Sequence, residues 1–534
     1  MKLVTLLSLT AVINCLYIPV PSECAGSTWL RIAENYLPKS VQNWLTTTDS
    51  IRNSDLNAWI EEQKEVSFRA ILNNIGGVSE IYNVSQVAKG AVIASPLTQK
   101  PDYFYQWTRD AALTIKSLIL EINDKEFEGV DDIISTVEAY IENNYYIQRL
   151  DNKSGKFNDE NKDGLGEPKF LVNNKPFDKH WGRPQRDGPG LRVITVVSYI
   201  NLLDKFDKGV SNEFLKSREF IYHKIIKPDL VYITRNWMKE GFDLWEEINA
   251  HHFFTSITQL AALKDGISIA GSFDSSTEFV ETLKSTFENL KKFILSDAGF
   301  TTNGLPYLIE TPTLLKSGKR SGLDAAIILG ALHSHNLEFG DFSDIPYDIS
   351  DSPLLNTLSA MVADMKYRYP INHNRIGFGN PIGVGLGRYP EDVYDGYGTS
   401  EGNPWFLATA SAAEAVYRFI YKLTLTEKNL VIDTENREFF EDFIDFETVE
   451  TDYLVIHFGS LAFKTLTRNL FGYSDSFLEV IKDHVGDDGS MSEQFNKYHG
   501  YMQGAEELTW SHSAVWNAFR WREKTEGLLR ELEF

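Results

Sequence analysis

Two acidic segments far apart in the chain carry the residue types that acid–base chemistry on a polyol needs. Phe242-Asp243-Leu244-Trp245-Glu246-Glu247 places three carboxylates within five residues beside an indole, and His251, His252, Phe253 and Phe254 follow. An isolated DxxEE is often a solvated helix start, because carboxylates suit the positive end of the helix dipole. The neighbouring aromatics argue for a partly dry setting, where burial keeps a carboxyl protonated as a general acid requires. The second segment is Gly489-Ser490-Met491-Ser492-Glu493-Gln494-Phe495, followed by Tyr498, Tyr501 and Trp510. Alone, Glu493 is a loop carboxylate. Facing Glu246 across a fold, it would complete the pair that glycoside hydrolysis uses. One carboxyl protonates the leaving oxygen while the other activates water or attacks the sugar.

Three further clusters mix aromatics with ion pairs: Tyr103, Trp107, Arg109 and Asp110; Trp181, Arg183, Arg186 and Asp187; and Arg388, Tyr389, Glu391, Asp392 and Trp405. A structural salt bridge explains any one Arg–Asp pair. Three clusters in comparable loops suit a neutral polyol, whose ring faces stack on Trp and Tyr and whose hydroxyls pair with Arg and Asp. Other chemistries lack their signatures. Asp159 to Gly164 matches the first half of a calcium loop, but the twelfth position is Phe170 and Pro168 opposes the exit helix. GxxxxGK[ST] and HExxH are absent, the GxSxG match at Gly398-Thr399-Ser400-Glu401-Gly402 lies in a Gly-rich loop and makes no elbow, and His251-His252 cannot share a helix face, so neither a metal nor a cofactor is expected.

The elements that must position these residues are mainly helical. Ala111, Ala112, Ile115, Leu118, Ile119 and Ile122 form one stripe, and Trp405, Ala408, Ala412, Ala415, Val416, Phe419 and Leu423 another. Helices are predicted to start near residues 111, 191, 253, 323, 405 and 509, each after a loop dense in Gly, Pro, Asp or Arg. The intervals leave room for one more helix apiece. Six helix pairs with their polar loops at one rim describe a helical toroid, and function concentrates in such loops.

Length 534 would allow several domains, yet no Pro- or Ser/Thr-rich linker divides the chain. A formal charge of −23 repels a phosphate backbone, so no nucleic-acid partner is expected. Lys2, the apolar run from Leu3 to Ile13 and the small residues Ser22, Cys24, Ala25 and Gly26 read as a secretory signal rather than a membrane anchor. Cys15 and Cys24 would leave with it, removing disulfides and thiol chemistry from the mature chain. Sequons at Asn83 and Asn152 suit that route.

The stretches YQWTRD, GLGEPKF (164–170), WGRPQRDGP, FDLWEE, GRYPEDVY, GNPWFLAT (402–409), GSMSEQ and LTWS (508–511), in this order over residues 60–525, resemble the fungal glucoamylases of glycoside hydrolase family 15. Forms without a starch-binding domain are the most similar. The resemblance implies an all-α, (α/α)6 barrel over residues 61–534, after a signal at 1–25 and a lead-in at 26–60. It implies inverting release of β-D-glucose from non-reducing ends of α-1,4-glucans, and more slowly from α-1,6 branches, by a monomer. Glu246 would be the general acid and Glu493 the general base. Tyr103, Trp107, Arg109 and Asp110 would line the terminal-sugar subsite, with Trp181 supporting the acid. Glu247 and Arg388 would hold hydroxyls about the cleaved bond, Asp392 would orient Arg388, and Asp243 and Trp510 would brace the walls. Gly190 stands where DGPA is commoner in the family, and Glu506-Glu507 where some members have Arg–Asp; both put subsite preference in doubt. Inversion requires carboxyls about 6.5–9.5 Å apart, with Glu246 protonated and Glu493 ionised. A trehalose- or dextran-cleaving relative, or a non-catalytic glucan-binding protein, are the alternatives.

Overall fold

Apolar residues recurring at helical spacing fold as helices, and they do so in twelve long helices among the described residues. The computed structural model describes residues 39–79, 84–339, 344–375, 381–444 and 453–532, with side chains except those of 39–54 and 85. The expected signal, both cysteines and Asn83 lie outside these residues. In chain order the helices are α1 (Lys39–Asn73), α2 (Thr108–Asp124), α3 (Asp131–Ile147), α4 (Asp187–Lys205), α5 (Lys227–Asn236) and α6 (Phe253–Phe273). They continue as α7 (Thr277–Lys292), α8 (Ala325–Ser334), α9 (Ser352–Arg368), α10 (Phe406–Leu425), α11 (Leu461–Lys482) and α12 (Thr509–Glu531).

The even-numbered helices pack in sequence around a closed ring, and α12 returns to α2. Each odd-numbered helix covers the ring from outside: α3 on α2, α5 on α4, α7 on α6, α9 on α8, α11 on α10 and α1 on α12. This is the expected (α/α)6 barrel. The inner helices begin within four residues of the six expected starts. Position in the ring shows in burial. From Asp187 to Leu203 in α4 only Asn201 escapes burial, because both faces of an inner helix are covered. Outer α7 buries just Leu283, Thr286, Phe287 and Leu290, one i, i+3, i+4, i+7 stripe.

Helix α1 runs unbroken through the expected boundary at residue 60, and Leu56 and Ile60 belong to the main hydrophobic core. The lead-in and the body are therefore one packed unit there. The seam between first and last inner helices is polar: Asn517 donates to Ser117 Oγ (3.0 Å), and Arg520 donates to Asp124 (2.7 Å).

The rim loops are tied by short antiparallel ribbons. Strand β1 (Tyr105–Trp107) pairs with β2 (Lys169–Leu171), and β3 (Gly241–Phe242) with β4 (Asn249–Ala250). Strand β5 (Leu430–Ile432) pairs with β6 (Leu454–Ile456), and β7 (Gln494–Phe495) with β8 (Met502–Gln503). The first, second and fourth ribbons flank residues that carry the candidate chemistry.

Candidate active site

Ribbon β3–β4 fixes the loop that carries Glu246. The Asp243 carboxylate caps it, accepting from the backbone N–H of Glu247 and Ile248 (2.7 Å each), while Glu246 N donates to Asp243 O (2.9 Å). Glu246 itself stands at φ 68°, a left-handed conformation that a non-glycine residue adopts at a cost. Its Oε1 accepts from Trp107 Nε1 (2.7 Å) and Gln185 Nε2 (2.9 Å) and lies 3.7 Å from Arg109 Nη2. The indole in direct contact with Glu246 is Trp107, and Trp181, expected to support the acid, stands behind it. Trp181 packs edge-on against the Trp107 ring at 6.1 Å. Gly182 is required here, since a Cβ would sit 2.6 Å from Glu246 O.

The first turn of α2 supplies Arg109 and Asp110, and that of α4 supplies Asp187, carboxylates placed where the helix dipole favours them. Arg109 Nη1 donates to Asp187 and to Gln185 Oε1 (2.8 Å each). Burial pushes the Asp110 carboxyl up to about 6 against the opposing charge of Arg109. Register pairs Trp107 with Lys169, whose buried ammonium lies 3.6 Å from the Trp181 ring centre and 4.2 Å from that of Trp107.

Glu493 lies just before β7, with its backbone N–H donating to Ala505 O (2.8 Å). Tyr103 donates to its Oε1 (3.1 Å), and the Tyr394 hydroxyl lies 3.0 Å from that of Tyr103. The Tyr103 ring also packs at 5.4 Å on Trp107, the indole that donates to Glu246, so one aromatic pair links the two carboxyls. Gly504, at φ 81°, is a second required glycine, because a Cβ would lie 2.4 Å from Glu493 Oε2. Burial pushes the Glu493 carboxyl up to about 8, opposed by the Tyr103 hydrogen bond and the charge of Arg388. The expected asymmetry is therefore not that of the free site: burial favours the neutral form at the carboxyl expected to be ionised.

Glu247 is held by three donors: Arg388 Nη2 on Oε1 (2.8 Å), and Arg320 Nη2 (2.7 Å) and the Tyr389 hydroxyl (2.5 Å) on Oε2. Burial works to raise its pKa, but Arg388, Tyr389 and Arg320 together hold it below the ordinary value. Asp392 grips Arg388 through both oxygens (2.8 and 2.5 Å). Trp245 donates to Asp324 (2.9 Å) and packs on Trp405 at 5.6 Å. Trp181 Nε1 and Trp405 Nε1 are buried without a hydrogen-bond partner, and Arg109 Nε and Asp110 Oδ2 face each other as an ion pair at 3.6 Å. Indole donors beside a charged pair suit a polyol, whose hydroxyls both accept and donate.

The structure places the expected site residues about the starts of the inner helices; Trp510 is buried in the first turn of α12, in the same apolar cluster as Trp107, Trp245 and Trp405. Sequence reasoning passed over Gln185, Tyr394, Arg320 and Lys169. Gln185, Tyr394 and Lys169 lie in or beside the quoted motifs, but nothing in spacing separates them from structural neighbours. Arg320, in a basic loop without a motif, gave no signal.

The chain matches the model of Glycosyl hydrolases family 15 over residues 65–520. It is 41% identical to a glucoamylase of Saccharomycopsis fibuligera, over 90% of this chain and 92% of the relative. It is 39% identical to the intracellular sporulation-specific glucoamylase of Saccharomyces cerevisiae, over 88% and 85%. Its structure resembles that of a Saccharomycopsis fibuligera glucoamylase, with TM-score 0.83 and 41% identity over 89% of this chain and 96% of that one.

Proposed function

The chain belongs to glycoside hydrolase family 15, and on that premise we propose how its site works as a glucan 1,4-α-glucosidase, releasing glucose from the non-reducing ends of α-glucans. One observation supports the residue assignment: Tyr103 donates to Glu493 and packs on Trp107, which donates to Glu246. Glu246 gives its proton to the glycosidic oxygen as the C1–O bond breaks. Glu493 takes a proton from the water that attacks C1 on the opposite face, so the anomeric centre inverts. Trp107 and Gln185 both bind Oε1 of Glu246, which leaves Oε2 to carry the transferable proton. A water held against Glu493 restores part of the hydration that burial removes, and Tyr103 and Arg388 act in the same direction. Arg109, Asp110 and the indoles of Trp107 and Trp181 bind the terminal glucose. The Glu247–Arg388 pair, braced by Asp392, binds the next unit.

The test is the anomer first released from maltotriose, followed by proton NMR. β-D-Glucose is expected, and α-D-glucose would overturn inversion. The raised Glu493 favours one second reading, with Glu493 as acid and Glu246 as base. α-D-Glucosyl fluoride separates the two, because fluoride departs without a proton and relieves only the loss of an acid.

We further propose that the mature protein is a monomer made in the secretory route, with the catalytic unit reaching back at least to Leu56. Asn152 Nδ2 donates to both Leu150 O (3.3 Å) and Gly164 O (2.8 Å). A glycan-bearing amide keeps a single N–H, so the folded loop can retain only one of these bonds. Mass spectrometry before and after endoglycosidase is expected to find Asn83 the better occupied sequon.

A further inference from the structure

We propose that Tyr394 is a positioning residue for the general base Glu493, the second phenol of a clamp whose first is Tyr103. The inference rests on the reading of Glu493 as base. The Tyr394 hydroxyl lies 3.0 Å from that of Tyr103, which in turn donates to Glu493. Tyr103 has one hydrogen to give, and it gives that to Glu493 Oε1. The carboxyl's other oxygen, Oε2, has only a long contact from Gln494 Nε2 (3.3 Å) and is walled by Gly504. A buried carboxylate so sparsely supplied depends on the groups behind its donors, and Tyr394 backs the Tyr103 hydroxyl. Given to the Tyr103 oxygen, its hydrogen strengthens donation to the base.

Tyr394 is rigidly held, as a positioning residue must be. Its backbone N–H donates to Asp392 Oδ1 (2.8 Å), the carboxylate that also clamps Arg388. Its ring leans on Trp405 at 6.2 Å and faces the Arg388 guanidinium at 5.1 Å. Residues 388–394 therefore form one brace, with Arg388 gripping Glu247 at one end and Tyr394 steadying the base at the other. A sugar seated against Glu247 and Arg388 meets a base already aligned with it.

The bland alternative is a wall aromatic that merely touches sugar. Tyr394→Phe in the full chain separates the two, because it keeps the ring and removes the hydroxyl. Losing the group behind the carboxylate's donor raises the pH needed to ionise the base, so the acidic limb of kcat/KM moves up. A shift of about one unit makes a roughly tenfold loss on the acidic limb that shrinks to nothing on the plateau above it, with KM for maltose within about twofold. The loss persists with α-D-glucosyl fluoride, which still needs the base. A loss equal at every pH, confined to KM, or relieved by the fluoride would overturn the proposal. 3-Fluorotyrosine at 394 preserves the fold and gives a stronger donor, so its limb moves to lower pH; an unmoved limb also counts against it. Wild-type protein that released no glucose from maltose would sink the reading of the whole site instead.

Discussion

Glu246 combines two features that local sequence does not reconcile: a left-handed backbone and a carboxyl bound through one oxygen by an indole and an amide. The strain is maintained because Asp243 ties the loop on both sides. Glu246→Gln should lower kcat on maltose by about 10²–10⁴-fold while binding survives, and regain much of that loss with α-D-glucosyl fluoride. Glu493→Gln should stay impaired with both substrates; rescue of that variant instead would reverse the two roles. Gly504→Ala tests the fit around the base. Its Cβ would meet Glu493 Oε2 at 2.4 Å on a backbone of φ 81°. Destabilisation of about 1–3 kcal/mol in urea and a depressed kcat are expected, and a variant with wild-type kcat would show that the carboxyl has room to move.

Among the elements, α8 is the shortest of the inner ring, and its start sits directly behind the site. Asp324 caps it, accepting from Ala326 N (2.8 Å), and the same oxygen accepts from Trp245 Nε1 (2.9 Å). One carboxyl thus sets both the helix start and the indole beside Glu246. Asp324→Ala should lose about 1–2 kcal/mol in urea denaturation from the cap. It should also raise KM, since Trp245 loses its anchor; an unchanged KM would mean that packing on Trp405 alone fixes the indole. The ribbons act at the same scale. Strands β1 and β2 bring Trp107 and Lys169 together from loops 62 residues apart in sequence.

For the whole molecule, the ring must close between its first and last inner helices. Glu338, in the segment after α8, binds Arg520 (2.7 Å) and Lys524 (2.7 Å) of α12, and Arg520 also binds Asp124 of α2. Burial would raise the Glu338 pKa, but Arg520 and Lys524 outweigh it and bring it down to about 2. A depressed carboxyl gives stability that is present above its unfolded value, about 4.3, and is lost as pH falls toward 2. Wild-type stability should therefore fall through that window, and Glu338→Gln should be less stable at pH 7 with a shallower fall. An identical slope in the variant, followed by the urea midpoint, would remove Glu338 from the acid response.

The sequence by itself determined that the chain is a helical barrel with its chemistry in the loops before six inner helices. Helical stripes such as Ala111 to Ile122 are local, and a 3.6-residue period leaves them little choice. It also determined the residue types of the two candidate carboxyls, since motifs such as FDLWEE and GSMSEQ are contiguous. It did not determine who touches whom. That Trp107 rather than Trp181 binds Glu246, and that Gln185, Tyr394 and Arg320 belong to the site, depends on loops separated by tens to hundreds of residues meeting at one rim. The boundary at residue 60 vanished for the same reason, because Leu56 and Ile60 find their partners only once α1 lies against α12. Charge state was decided there too. Desolvation of Glu493 and the three donors on Glu247 are properties of the assembled loops, and no single stretch of sequence contains them.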